Sequence, residues 1–162
     1  MLSPQVTCDG AGVNAPNYWC GTVGTTWWFY FTGPSTDDVW AAYVEHCKAM
    51  LTHASERPAL VCVCHHADSP TADQRRMLAD FISAEARRLS ALVGFALVLD
   101  SPLHILALRA INWVVKKPFP ETVCGSPSTA ARWLVERGAS IDPHALASAF
   151  ESKVPREHLW VM

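Results

Sequence analysis

Leu60-Val61-Cys62-Val63-Cys64-His65-His66-Ala67-Asp68-Ser69-Pro70-Thr71 is the stretch that decides the fold. An unbroken apolar run stops in titratable and hydroxyl residues, and a long helical pattern follows at once. A strand without polar alternation is covered on both faces, as in the middle of a parallel sheet. The run therefore predicts a central strand over Ala59–His66 whose carboxyl end opens onto a helix N-terminus. In open α/β sheets ligands and partners meet the protein outside the carboxyl ends of the strands. A helix N-terminus adds free N–H groups and partial positive charge. His65, His66, Asp68, Ser69 and Thr71 are accordingly the candidate binding residues.

Upstream, Tyr18–Val23 and Trp27–Thr32 are aromatic and β-branched runs around a short glycine turn, the signature of a β-hairpin. Ser35 or Thr36 can cap a first helix, with Asp37 and Asp38 in its first turn and Val39, Tyr43, Val44, Cys47 and Met50 on its apolar face. Downstream, one helix is expected from about Pro70 to Leu92, then an apolar strand over Val93–Leu99. Asp100 or Ser101 opens a third helix, with Pro102 in its first turn, that ends at Lys116-Lys117-Pro118. Phe119–Cys124 reads as a short edge strand, because Pro118 and Pro120 flank its start. Ser126-Pro127 caps a fourth helix that stops at Gly138, and Asp142-Pro143 opens a short C-terminal helix. The fold class is α/β: a mixed, mostly parallel sheet of about five strands with about four helices and a short C-terminal one. Residues 1–16 read as an arm without period, 17–138 as the domain, and 139–162 as a helical tail packed on it.

The chain has 162 residues, half of them apolar and 17% charged, so one well-packed domain is expected. A net charge of −2 and the lack of a basic stripe speak against a nucleic-acid partner. No transmembrane segment is expected, and the N-terminus lacks the charged and apolar regions of a signal peptide. The six cysteines, Cys8, Cys20, Cys47, Cys62, Cys64 and Cys124, are scattered, which predicts reduced thiols and a cytoplasmic location.

The order of elements resembles the STAS fold of the anti-sigma-factor antagonists, especially its SpoIIAA-like branch. The closest local likeness is the edge strand from Phe119 followed by the capped helix with Ala130-Ala131-Arg132-Trp133-Leu134. The Pro-Thr-Ala-Asp-Gln entry at 70–74, with Arg75-Arg76 after it, adds weaker support. The resemblance covers roughly Tyr18 to Gly138. It implies a bacterial regulatory protein that binds other proteins, among them a kinase that phosphorylates a serine at the place of Asp68-Ser69. Pro70 stands here where that family has a second small hydroxyl residue.

The same residues admit other uses. Cys62, Cys64, His65 and His66 carry atoms suited to zinc. Alternation, however, puts His65 on the opposite face from the other three, so no metal and no cofactor is expected. His65 or His66 could serve a hydrolase as base, oriented by Asp68, with Ser69 or Cys64 as nucleophile. No nucleophile elbow is present, and no catalytic residue is assigned. Ser69 or Thr71 can be an ordinary N-cap. The hairpin aromatics, Trp27 and Trp28 among them, can form a core, a homodimer surface, or the wall of a pocket for an apolar or lipid-like ligand. The leading expectation is a non-enzymatic interaction module with its contact surface at His65–Thr71. A small apolar-ligand carrier or sensor and a hydrolase are the alternatives.

Overall fold

The structure, a computed structural model, describes residues 17–53, 57–101, 105–106 and 115–160. Strands β1 (Tyr18–Val23), β2 (Thr26–Gly33), β3 (Ala59–Ala67), β4 (Gly94–Leu99) and β5 (Glu121–Cys124) form one sheet in the order β1-β2-β3-β4-β5. Only the β1–β2 pair is antiparallel. The hairpin closes through Gly24, whose φ of 58° suits the first position of a two-residue turn. A Cβ there would also lie 2.6 Å from the Ser140 carbonyl oxygen. The expected α/β class with a mixed sheet holds. The last strand is shorter than expected, because pairing with β4 begins only at Glu121, after Pro120.

Helices α1 (Asp37–His53) and α2 (Ala72–Ala84) cover one face of the sheet, and α4 (Pro127–Glu136) and α5 (Pro143–Lys153) cover the other. Alternation along β3 divides its side chains between the two cores. Leu60 and Cys62 pack with α1 and α2, while Val61 and Val63 pack with Ala130, Leu134, Leu146 and Phe150. Ser126 caps α4 by accepting from the Thr129 N–H, and Asp142 caps α5 by accepting from the His144 N–H. The C-terminal helix thus buries Leu146 and Phe150 against the sheet.

The long helix expected over Pro70–Leu92 is instead α2 followed by a short α3 (Ala86–Leu89). Glu85 leaves the helical region, with φ −104° and ψ 13°, and this redirects the chain so that Leu89 and Leu92 enter the core. Most of the third helix, and the arm 1–16, lie outside the described residues.

Of the uses open to Trp27 and Trp28, the structure shows the core: both are buried within the chain, and Trp28 packs edge-on against Phe150. The expectation of six reduced thiols fails. Cys20 is disulfide-bonded. Cys47, Cys62, Cys64 and Cys124 are free, and Cys8, the remaining cysteine, lies outside the described residues. Scatter along a sequence says nothing about distance in space, which is what a disulfide requires. The argument from thiols to a reducing compartment therefore loses its premise. No described helix is long and apolar enough to cross a membrane.

The same corner holds a buried histidine. His46 on α1 is hydrogen-bonded through Nδ1 to the Tyr18 hydroxyl, 2.8 Å away, with Cys20 Sγ at 3.6 Å. Burial lowers its pKa from the usual 6.5, and the opposing charge of Glu45 offsets this only in part. The folded chain therefore keeps a neutral imidazole where the unfolded chain already binds a proton. Stability should be full above about pH 6.5 and fall as the pH drops toward the lowered folded value. His46→Gln keeps a hydrogen-bonding partner for Tyr18, donor or acceptor, but does not titrate. Urea midpoints at about pH 7.5 and about pH 5 should differ less in this variant than in the parent chain. Equal differences would remove His46 from the acid response.

Candidate functional site at the carboxyl ends of the central strands

β2, β3 and β4 run parallel and end together, and the chain after β3 does not leave the sheet as a regular strand. Phe31 pairs with Cys64 and Gly33 with Ala67, so β3 spends three residues where β2 spends two. The extra residue is a β-bulge at His65-His66. His66 takes a φ of 50°, the only positive value at a non-glycine residue among those described. Histidine is one of the side chains enriched in this region.

The bulge removes the alternation that separated the two histidines. Their rings lie 4.1 Å apart between centroids. Both turn toward Asp100, the residue just past β4, which the register Cys64↔Leu99 brings alongside. Asp100 Oδ2 lies 3.1 Å from His65 Nδ1 and 3.3 Å from His66 Nδ1, and it accepts from the His66 backbone N–H at 2.7 Å. The His65 and Asp100 side chains are 16% and 17% exposed, whereas that of His66 is 81% exposed. Burial and the neighbouring His66 push the His65 pKa below its usual value, and Asp100 only partly offsets them. His65 is therefore neutral at physiological pH.

The C-terminal segment closes one side of this cluster. The Tyr30 hydroxyl donates to the His158 carbonyl at 2.7 Å and accepts from the Trp160 N–H at 2.8 Å. Burial raises its pKa to about 12, so it remains a donor throughout the physiological range. The clasp holds the Trp160 ring 4.8 Å from that of His65.

The other end of the loop is fixed by a capping box. Thr71 Oγ1 accepts from the Gln74 N–H at 3.2 Å, and Gln74 Oε1 accepts from the Thr71 N–H at 3.0 Å. Gln74 is 3% exposed, and its Nε2 donates to Ser35 O at 3.0 Å and Asp37 Oδ1 at 2.9 Å. Arg75 donates to the Pro70 carbonyl at 2.8 Å. Thr71, and not Ser69, is thus the cap. Asp68 and Ser69 are exposed, and the Ser69 hydroxyl makes no hydrogen bond among the described residues.

Beneath the loop, on the α1–α2 face, lies an apolar cavity of about 80 Å³ bordered by Phe31, Trp40, Tyr43, Cys64, Pro70 and Lys117. Lys117 is paired with Glu121, and burial lowers its pKa.

Of the residues expected from sequence, the structure joins His65 to His66; Asp68 and Ser69 follow as exposed residues between β3 and α2, with Asp68 also at the rim of the cavity. Asp100, and not Asp68, is the carboxylate that holds the histidines. Asp100 ends an apolar strand as His65 does, so a parallel pairing of the two runs in register would have pointed to it. Gln74 did carry a signal that went unread, since it stands three residues after Thr71, the spacing of a capping box, whereas Trp160 carried none. No family model, no curated protein and no solved structure matches this chain.

Proposed function

We propose that this chain is a non-enzymatic interaction module of the STAS-like kind, and that it docks a regulatory protein through His65–Thr71 and the first turn of α2. The observation that carries the reading is the release of Ser69 from structural duty. Thr71 and Gln74 satisfy the helix start between them, which leaves Asp68 and Ser69 exposed on a loop pinned at both ends. A pinned loop loses little entropy on docking. A phosphate on Ser69, added by a partner kinase, would bring up to about two negative charges to the head of α2.

The alternatives have less support. About 80 Å³ is well short of the roughly 300–1,000 Å³ of a small-molecule pocket. Among the described residues no hydroxyl or thiol is hydrogen-bonded to His65 or His66, so the Asp100–histidine arrangement shows no side-chain nucleophile for a Ser- or Cys-dependent hydrolase.

Ser69→Ala should change stability by no more than about 0.5 kcal/mol, because no cap is lost. Ser69→Asp should stay folded and shift affinity for a partner recovered with the tagged full chain by about tenfold. Circular dichroism provides the folding control. Unchanged affinity in both variants would move the contact surface away from this loop.

A further inference from the structure

The geometry points to a binding site for one divalent transition-metal ion, of the zinc class, formed by His65 Nδ1, His66 Nδ1 and Asp100 Oδ2. These side chains offer ligand atoms that all lie within 4.8 Å of one another. In a tetrahedral zinc site with bonds of about 2.0–2.1 Å, neighbouring ligand atoms are about 3.3 Å apart. The two nitrogen–oxygen separations here are 3.1 and 3.3 Å. Two of the three edges of a half-built coordination shell are therefore already at length. For the third, between the two imidazoles, the ligand atoms lie within 4.8 Å, and the exposed His66 ring has room to adjust.

The donor set selects the ion. Two imidazoles and one carboxylate suit zinc and its neighbours in the transition series, while calcium and magnesium prefer all-oxygen shells. Three protein ligands leave a fourth position for water, on the side where His66 faces solvent. Binding exchanges the hydrogen bond of His65 Nδ1 with Oδ2, and the contact of His66 Nδ1 with the same atom, for bonds to the metal, with the ring protons carried on Nε2. The His66 N–H can still donate to Asp100 and orient the carboxylate, as outer-shell groups do in metal sites. Without an ion, Asp100 Oδ2 gathers both rings and one backbone N–H, an arrangement that holds the ligands close before any metal arrives. This departs from the sequence expectation of no metal. That expectation rested on the two histidines facing opposite sides of β3, and the bulge brings them together.

The inference does not depend on the docking reading, since its test uses no partner. The full chain, stripped with a chelator, is titrated with zinc chloride in competition with a chromophoric chelator. One zinc per chain is expected. Asp100→Asn retains an acceptor for the His66 N–H but loses the anionic ligand. His66→Asn tolerates the positive φ but loses the imidazole. These variants and His65→Ala should each weaken zinc binding by about tenfold or more, with unchanged circular dichroism. Cys64→Ser should bind as the parent does, and the cobalt(II) form should lack the charge-transfer absorption of a thiolate ligand. Absence of stoichiometric zinc would overturn the site. So would binding unaffected by Asp100→Asn and His65→Ala, or a thiolate band in the cobalt form.

Discussion

Val63→Asp is expected to leave no folded population. Val63 is fully buried in the third of five strands, paired through β3 to Tyr30 on one side and Val98 on the other. Its side chain enters the core built by Ala130, Leu134 and Leu146. Among the described residues no lysine or arginine is fully buried, so an aspartate at this position would have no cation for a partner. Loss of the valine's burial costs about 1.5–3 kcal/mol. An unpaired carboxyl in an apolar interior adds several kcal/mol more, whether it stays charged or takes up a proton. Together these rival the roughly 5–15 kcal/mol that holds an ordinary domain folded. Val63→Ala leaves only a small cavity, should cost about 2 kcal/mol, and should still unfold cooperatively. Circular dichroism and urea titration separate the two variants. A cooperative transition in Val63→Asp would mean that β3 is not buried on both faces.

How far the sequence revealed this architecture depended on which rule each segment obeyed. β3 was legible because an apolar run without alternation has few other meanings. Ser126-Pro127, Gly138 and Asp142-Pro143 were legible because caps act over three or four residues and need no tertiary knowledge. The split at Glu85 was not, because residues on both sides of it fit one helical stripe, and only the position of the sheet requires the turn. Cys20 was misjudged for a related reason: a disulfide depends on proximity, and spacing along the chain does not report it. The candidate site was half legible. The end of an apolar strand located His65 and His66, but strict alternation then assigned them to opposite faces. A bulge is a departure from alternation, and its evidence is the register against β2, which no local pattern contains. Asp100 was read as the opening of the next helix. Its role against His65 appears only when β3 and β4 are laid side by side.

Gln74→Glu should destabilise the chain by about 3 kcal/mol at neutral pH, although it changes only a side-chain NH₂ to an oxygen. Gln74 Oε1 accepts from the Thr71 N–H, and this fixes the amide so that Nε2 faces Ser35 O and Asp37 Oδ1. Glutamate can keep the first bond. It cannot donate the other two unless protonated, and as an anion it faces a carbonyl and a second carboxylate at hydrogen-bond distance. Each buried acceptor left without a donor costs about 1–3 kcal/mol. Asp37 is exposed, and water can relieve its share of the repulsion. Desolvation and Asp37 should both raise the pKa of the new carboxyl above its usual value of about 4.3. A raised folded pKa means that the folded chain binds the proton first, so the penalty should shrink as the pH falls toward that value. Asp37→Asn in the same chain removes the like charge and offers an amide donor, and should recover part of the loss. Amide exchange should quicken at Thr71 and Gln74, where the loop meets α2, while Val61 and Val63 stay slow. A loss below about 1 kcal/mol, or no recovery with Asp37→Asn, would mean that Gln74 does not tie the start of α2 to α1.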